Sequence, residues 1–321
     1  MTKCLVLGAT GFIGGHIARA AAARGWHVRA ARRRPGATGA IEDLNVDWAE
    51  ANLNNRASLI AAMQDCDVVF HAAAAYPHDS RRMEEDVRTA VEQMRNVLAA
   101  AEDTGIARLI FTSSFTTIGP PGEPGRWADE RDFYRPGSSG DPYYESKWAM
   151  EVEALAAAQS GMTALALCPV AVFGPGDVHM SVSEPLVMTA RGRMPFYVDA
   201  SLSVIDVRDV AVAHVAAVER GHAGERYILS AHNLTLQEGL AEFARGAGVR
   251  PPRIRISPPV LNALIAGGQL LPGSPVGYLR TMRLWQPVSN AKAVAELGLT
   301  TRPFDETVAG ALAWFRARGV L

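Results

Sequence analysis

Three glycines with two residues between each pair stand in Gly8-Ala9-Thr10-Gly11-Phe12-Ile13-Gly14, directly after the apolar run Cys4 to Leu7 and at the opening of an alanine-rich stretch. Few patterns restrict a chain so strongly. A tight strand-to-helix turn turns free backbone N–H groups and the positive end of a helix toward an anion, and the missing Cβ atoms let a pyrophosphate lie against the backbone. Met1 to Arg34 therefore reads as the strand, turn and helix of a dinucleotide site, with Thr10, Phe12 and Ile13 beside the three glycines as contact residues.

The rest of the chain keeps the same rhythm. Short apolar runs at Val28 to Ala31, Val68 to Phe70, Leu109 to Thr112 and Ala164 to Cys168 alternate with helical stretches at Phe12 to Arg24, Arg56 to Met63, Met83 to Asp103 and Tyr143 to Gln159. That alternation predicts repeated βαβ units and an α/β fold, a Rossmann doubly wound parallel sheet. After Pro169 the pattern changes to helices at Val182 to Arg191, Leu236 to Ala247 and Val260 to Leu271, separated by proline and glycine clusters. We expect an NAD(P)-binding Rossmann domain over 1–168 and a smaller C-terminal α/β substrate lobe over 169–321, with segments around 200–230 returning to the first domain. Val260 to Leu271 is interrupted by Asn262, Gly267, Gly268 and Gln269. It is too short and too polar to cross a bilayer, which needs about 20 apolar residues, and it reads as a core helix.

Composition acts by exclusion. The 321 residues are 48% apolar and 20% charged, and the formal net charge of -1 exerts no overall pull on nucleic acid or an anionic membrane, so neither is an expected partner. Cys4, Cys66 and Cys168 are odd in number and unclustered, which predicts buried reduced thiols and no metal site. The chain opens on a strand and glycines and lacks a basic segment followed by an apolar stretch and a cleavage site, so the expected location is the cytoplasm.

Eighteen residues after Gly14, where a second strand should end, stand Arg32, Arg33 and Arg34. An acid there would grip the ribose 2′-hydroxyl of NAD, whereas a guanidinium pairs with a 2′-phosphate. NADP is the expected cofactor; NAD stays open, because three arginines with no acid also tolerate it. Tyr143 and Lys147 are four apart and share one helix face, one turn apart. A phenol alone is a poor base at neutral pH, and an ammonium beside it favours the phenolate. Tyr144 lacks this partner, since Trp148 stands four residues on. Ser113 and Ser114 follow the run Leu109 to Thr112, which puts a hydroxyl at the carboxyl end of a parallel strand, where open sheets place their sites.

In combination these motifs resemble the extended short-chain dehydrogenases/reductases of the NAD-dependent epimerase/dehydratase superfamily. The resemblance covers nearly the whole chain. It rests on Gly8 to Gly14, Phe70-His71-Ala72-Ala73-Ala74, Thr112-Ser113-Ser114, Tyr143 with Lys147, Pro169 to Gly176, Asp206 to Ala211 and Gly224 to Leu229. Within the superfamily, Gly192 to Asp199 and Gly224 to Leu229 are similar to dihydroflavonol-reductase-like proteins, especially those called hopanoid-associated sugar epimerases. The resemblance implies Ser114 as the catalytic hydroxyl, Tyr143 as the acid/base, and Lys147 as the residue that tunes it and holds the ribose. It also implies Ala72 and Ala73 along the cofactor, and Pro169 and Val170 against the nicotinamide carboxamide through backbone groups. Two positions depart from the family. Ala90-Val91-Glu92-Gln93-Met94 lacks an Asn that many relatives carry, with any contact it makes. Asn52, before Leu53, replaces an acid that contacts adenine, and its amide oxygen can still accept a hydrogen bond. By the same analogy, Met83 to Asp103 and Tyr143 to Gln159 could form a four-helix homodimer seam.

Loops 74–79, with Tyr76 and His78, and 177–182, with His179, flank the expected pocket. Phe115, Phe196, Tyr197 and Trp285 would make it aromatic, and we expect substrate contacts at Tyr76, Phe115, His179 and Tyr197. Two functions compete. One is an NAD(P)(H)-dependent oxidoreductase that exchanges its cofactor and interconverts a carbonyl and an alcohol. The other is an NDP-sugar epimerase or dehydratase that retains NAD+, for which Arg191, Arg193, Arg208 and Arg280 would clamp the sugar nucleotide's diphosphate. Arg32 and Arg33 favour the first. A third reading, a sensor that binds the cofactor without turnover, is opposed by the joint presence of Ser114, Tyr143 and Lys147.

Overall fold

The computed structural model describes residues 1–73, 80, 82–178, 183–268 and 280–321. Tyr76, His78 and His179 lie outside them. Seven strands, β1 (Lys3–Leu7), β2 (His27–Arg32), β3 (Asp47–Glu50), β4 (Val68–His71), β5 (Arg108–Thr112), β6 (Ala164–Pro169) and β10 (Arg226–Leu229), form one sheet. Its order is β10-β6-β5-β4-β1-β2-β3, and every pair is parallel. The chain is thus a doubly wound Rossmann fold. Strands covered on both faces read as unbroken apolar runs. β4 and β6 are buried throughout, whereas the edge strand β3, Asp47-Trp48-Ala49-Glu50, is buried nowhere along its length and carried no such run to announce it.

Helices α1 (Phe12–Ala23) and α6 (Val207–Arg220) cover one face, and α2 (Arg56–Met63), α3 (Met83–Asp103) and α4 (Pro142–Gln159) cover the other. Ile17, Ala18 and Ala21 of α1 meet the first face with Val210, Ala213 and Ala217 of α6, while Leu59, Met94, Val97 and Met150 fill the second. The strand order reverses beside β1, which has β2 on one side and β4 on the other. A crevice opens at the carboxyl ends of the strands at such a reversal.

A second, smaller lobe holds a three-stranded sheet of β7 (Ala171–Phe173), β9 (Ser201–Asp206) and β11 (His232–Thr235), and a two-stranded one of β8 (Phe196–Val198) and β12 (Ile254–Ile256). Helices α5 (Glu184–Ala190), α7 (Leu236–Ala247) and α9 (Phe304–Ala317) close around Phe243, Leu312 and Phe315. Helix α7 starts on a capping box, Thr235 with Glu238, and stops at the left-handed Gly248. Helix α8 (Pro258–Gly268) departs from the core helix expected of its sequence. Among its described residues only Leu261 and Ile265 are buried, while Val260 is 52% and Leu264 49% exposed.

Candidate active site

The glycine turn has the geometry its composition demands. Gly8 adopts φ +88°, and a Cβ there would lie 2.9 Å from the Ala72 carbonyl. A Cβ on Gly14 would stand 2.2 Å from the Gly8 oxygen, so helix and strand meet at a distance only glycine permits. Gly11 N–H closes the turn onto the Gly8 carbonyl at 2.9 Å. Ala72 and Ala73, at the end of β4, face this turn and line the same cleft.

At the far end of β2 the Arg32 guanidinium lies 5.1 Å over the Trp48 ring. Its Nε is buried with no hydrogen-bond partner, and neither Arg32, Arg33 nor Arg34 pairs with a carboxylate among the described residues. Asn52 lines the cleft, but its amide oxygen already accepts from Asn54 N–H at 3.0 Å. Gln93, on the segment that lacks the family's Asn, reaches the cleft as well and donates to Asn54 Oδ1 at 2.9 Å. Sequence reasoning missed it because a contact from the middle of a helix depends on which face α3 turns inward.

Tyr143 sits in the first turn of α4. Asp141 caps that turn by accepting from Tyr143 N–H at 2.9 Å, and Pro142 occupies the opening of the helix. Lys147 follows one turn later. Its Nζ donates to the Thr112 carbonyl at 2.9 Å and lies 6.0 Å from the Tyr143 ring centroid. Burial pushes the Lys147 ammonium down to about 8, opposed by the charge of Glu151. The two serines after β5 differ sharply. Ser113 Oγ donates to Glu151 inside the protein, while Ser114 Oγ accepts from Thr116 N–H at 3.2 Å on the first turn of a short 3-10 segment. Both serines line the cleft, and Ser113 is the one whose hydroxyl proton is already given to a buried carboxylate.

A single cleft of about 1160 Å³ gathers these groups. It is lined by the glycine turn with Thr10, Phe12 and Ile13, by Arg32 and Arg33, by Asn52 and Leu53, by Ala72 and Ala73, by Ser114 and Phe115, by Tyr143 and Lys147, and by Pro169 and Val170. Tyr144, Asp177, Thr281 and Trp285 also reach it. Trp285 meets Phe115 edge-on at 6.3 Å between ring centroids. Thr281 is brought there by a tertiary return of the chain and had no sequence signal. Tyr197 does not line the cleft; it packs against the lobe's own core, and its neighbour Phe196 is exposed. The four arginines offered as a diphosphate clamp are not there either. Arg191 donates to the Val320 carbonyl, Arg208 pairs with Asp206, Arg280 donates to the Gly140 carbonyl at 2.7 Å, and Arg193 is exposed. Among the described residues no group of three or more His, Cys, Asp or Glu side chains could hold a metal.

A reversed parallel sheet, a glycine turn at its switch point and a Tyr/Lys helix over the same crevice define a class: a dinucleotide-dependent enzyme of the extended short-chain dehydrogenase/reductase type. The chain belongs to the NAD dependent epimerase/dehydratase family, whose model matches residues 4–230. It is 33% identical to a dihydroflavonol 4-reductase-like protein of Synechocystis sp., over 99% of this chain and 96% of the other. Sterol demethylase protein B of Methylococcus capsulatus is 28% identical over 99% of both chains. Among solved structures, a nucleoside-diphosphate-sugar epimerase from Pseudomonas aeruginosa superposes with a TM-score of 0.87 at 28% identity, over 100% of this chain and 99% of that one.

Proposed function

We propose that this chain is an NADP(H)-dependent oxidoreductase that exchanges its cofactor freely and interconverts a carbonyl and an alcohol. The observation that carries the reading is where the cleft's cations stand. Among the described residues they are Arg32, Arg33 and Arg34 at one end and Lys147 at the centre. A 2′-phosphate at the first end would give the buried Arg32 Nε its missing partner, and the guanidinium already lies over the Trp48 ring. At the other end the described lining residues Phe115, Trp285 and Tyr144 are aromatic and no arginine is among them, which suits an apolar carbonyl compound better than a second diphosphate.

A nicotinamide bound in the cleft supplies the hydride exchange. The protein's part is to hold the substrate oxygen and move one proton. Ser114 and Tyr143 would hydrogen-bond that oxygen together, Tyr143 giving its proton in reduction and taking it back in oxidation. Lys147, pinned by the Thr112 carbonyl, would bring its positive charge to the phenolate that remains. Pro169 and Val170, at the end of β6, would meet the carboxamide through backbone groups.

The second reading, an NDP-sugar epimerase or dehydratase that retains NAD+, is favoured by the Pseudomonas aeruginosa structure. The two separate in one assay. Purified protein should lack bound nucleotide and oxidise added NADPH with members of a panel of aldehydes and ketones. Tightly held NAD+ together with turnover of a UDP-sugar would replace the first reading by the second. A cytoplasmic location and a homodimer belong to the same proposal. The three cysteines are free and buried, and the outer faces of α3 and α4, where Arg95 pairs with Glu153 and Val152 is exposed, are the surface on which two copies would meet.

A further inference from the structure

The net charge of -1 conceals an uneven distribution. Between Glu242 and Glu296 there is no carboxylate in residues 243–295, while six arginines and one lysine fall there. Arg245, Arg255 and Lys292 pair with Glu242, Asp199 and Glu225. Among the described residues Arg253 and Arg283 form no ion pair and are exposed, as is Arg193, close to Arg253 because Arg253 N–H donates to the Pro195 carbonyl at 3.0 Å.

This cationic stretch includes an uncharged, apolar helix. Helix α8 carries no charged residue, and its solvent side presents Val260 and Leu264 one turn apart. Ile254, 61% exposed, and Phe196, 44% exposed, are register partners across β12 and β8, just before α8 in the lobe. Arg283 reaches the helix, donating to Asn262 Oδ1 at 2.9 Å. A helix apolar on all sides belongs in a core. Here one side faces water, Arg193, Arg253 and Arg283 stand near it with no carboxylate partner among the described residues, and the nearby Asp199 is neutralised by Arg255.

We propose that this face of the substrate lobe docks on the surface of an anionic phospholipid bilayer. Val260, Leu264, Ile254 and Phe196 would enter the boundary between headgroups and acyl chains, while Arg193, Arg253 and Arg283 pair with phosphates around them. The contact is peripheral: among the described residues no helix is long and apolar enough to cross a membrane. The absence of carboxylates from residues 243–295 selects a dense anionic partner over a mixed-charge protein surface. The inference stands apart from the catalytic reading and survives either substrate class.

Co-sedimentation of the full chain with vesicles tests it. The protein should pellet with phosphatidylcholine mixed with an equal part of phosphatidylglycerol and stay in the supernatant with phosphatidylcholine alone. Val260→Glu with Leu264→Glu should weaken pelleting by about tenfold or more while far-UV circular dichroism and melting are unchanged. Arg193→Gln with Arg253→Gln should weaken it by roughly tenfold, and keeps the test open if the glutamates unfold the lobe. Failure of the natural chain to pellet with the anionic vesicles would overturn the proposal, as would unchanged pelleting of the folded glutamate variant. A natural chain that ignores vesicles but is a dimer, made monomeric by the glutamates, would overturn it in favour of an interface between copies.

Discussion

Tyr143→Phe removes one oxygen and leaves the ring, the Asp141 cap and the Lys147 bond to Thr112 in place. On the proposed role its turnover should fall about 10³-fold, with NADPH affinity within about twofold of the natural chain, as read by single-turnover kinetics and fluorescence titration. Retained turnover would assign the proton to another group. Arg32→Asp combined with Arg33→Ala should move the NADP/NAD preference by about tenfold or more toward NAD, measured as the ratio of kcat/KM values. An unchanged ratio would reduce the arginines to a solvated cluster. The glycine turn, Tyr143 and Lys147 were legible in the sequence because each depends on local spacing along one strand, turn or helix. Ser113 and Ser114 were not separable there. Alternation at a strand end decides between them, and only the burial of Glu151 beside Ser113 shows which hydroxyl is already engaged.

Glu151 also links elements far apart in the chain. Arg226 of β10 pairs with it at 3.0 Å, Thr117 donates to it at 2.8 Å, and both charged groups are almost wholly buried. Arg226→Met would strand a buried carboxylate and should cost about 3 to 5 kcal/mol in urea unfolding. Glu151→Leu with Arg226→Met should cost clearly less than the two single changes added together, because neither partner of the pair is left buried without the other. Additive losses would mean that packing, not charge pairing, is what Arg226 contributes. Elements of strong period were legible, from β1 and α1 to α3 and α7. Edge strand β3 was not, because a strand with one neighbour needs no apolar run. Helix α8 read as core on its hydrophobicity, yet an apolar sequence cannot state whether anything packs on its second side.

The molecule as a whole should be acid-labile for a traceable reason. Burial, with the charge of Lys147 second, pushes the His71 imidazole down to about 3, and burial pushes His214 down to about 4. Below the unfolded value near 6.5 the unfolded chain binds a proton at each site that the folded chain refuses, so stability falls as pH drops from 6.5 toward those folded values. At pH 5 the loss is about 2 kcal/mol for each histidine. Among the described residues both His71 nitrogens lack a hydrogen-bond partner, so His71→Leu should keep stability at pH 7 and reduce the loss between pH 7 and pH 5 by about that amount, in urea titrations at the two pH values. An undiminished loss would place the lability elsewhere. By itself the sequence determined the βαβ order, the dinucleotide turn and the Tyr/Lys pair, because these follow from periods of two and 3.6 residues and from glycine's missing Cβ. Only the tertiary structure decided that Thr281 and Trp285 return to the cleft, that Tyr197 and four arginines stay out of it, and that an uncharged helix faces water. Those are relations between segments distant along the chain, and side chains that meet through space leave no local pattern in it.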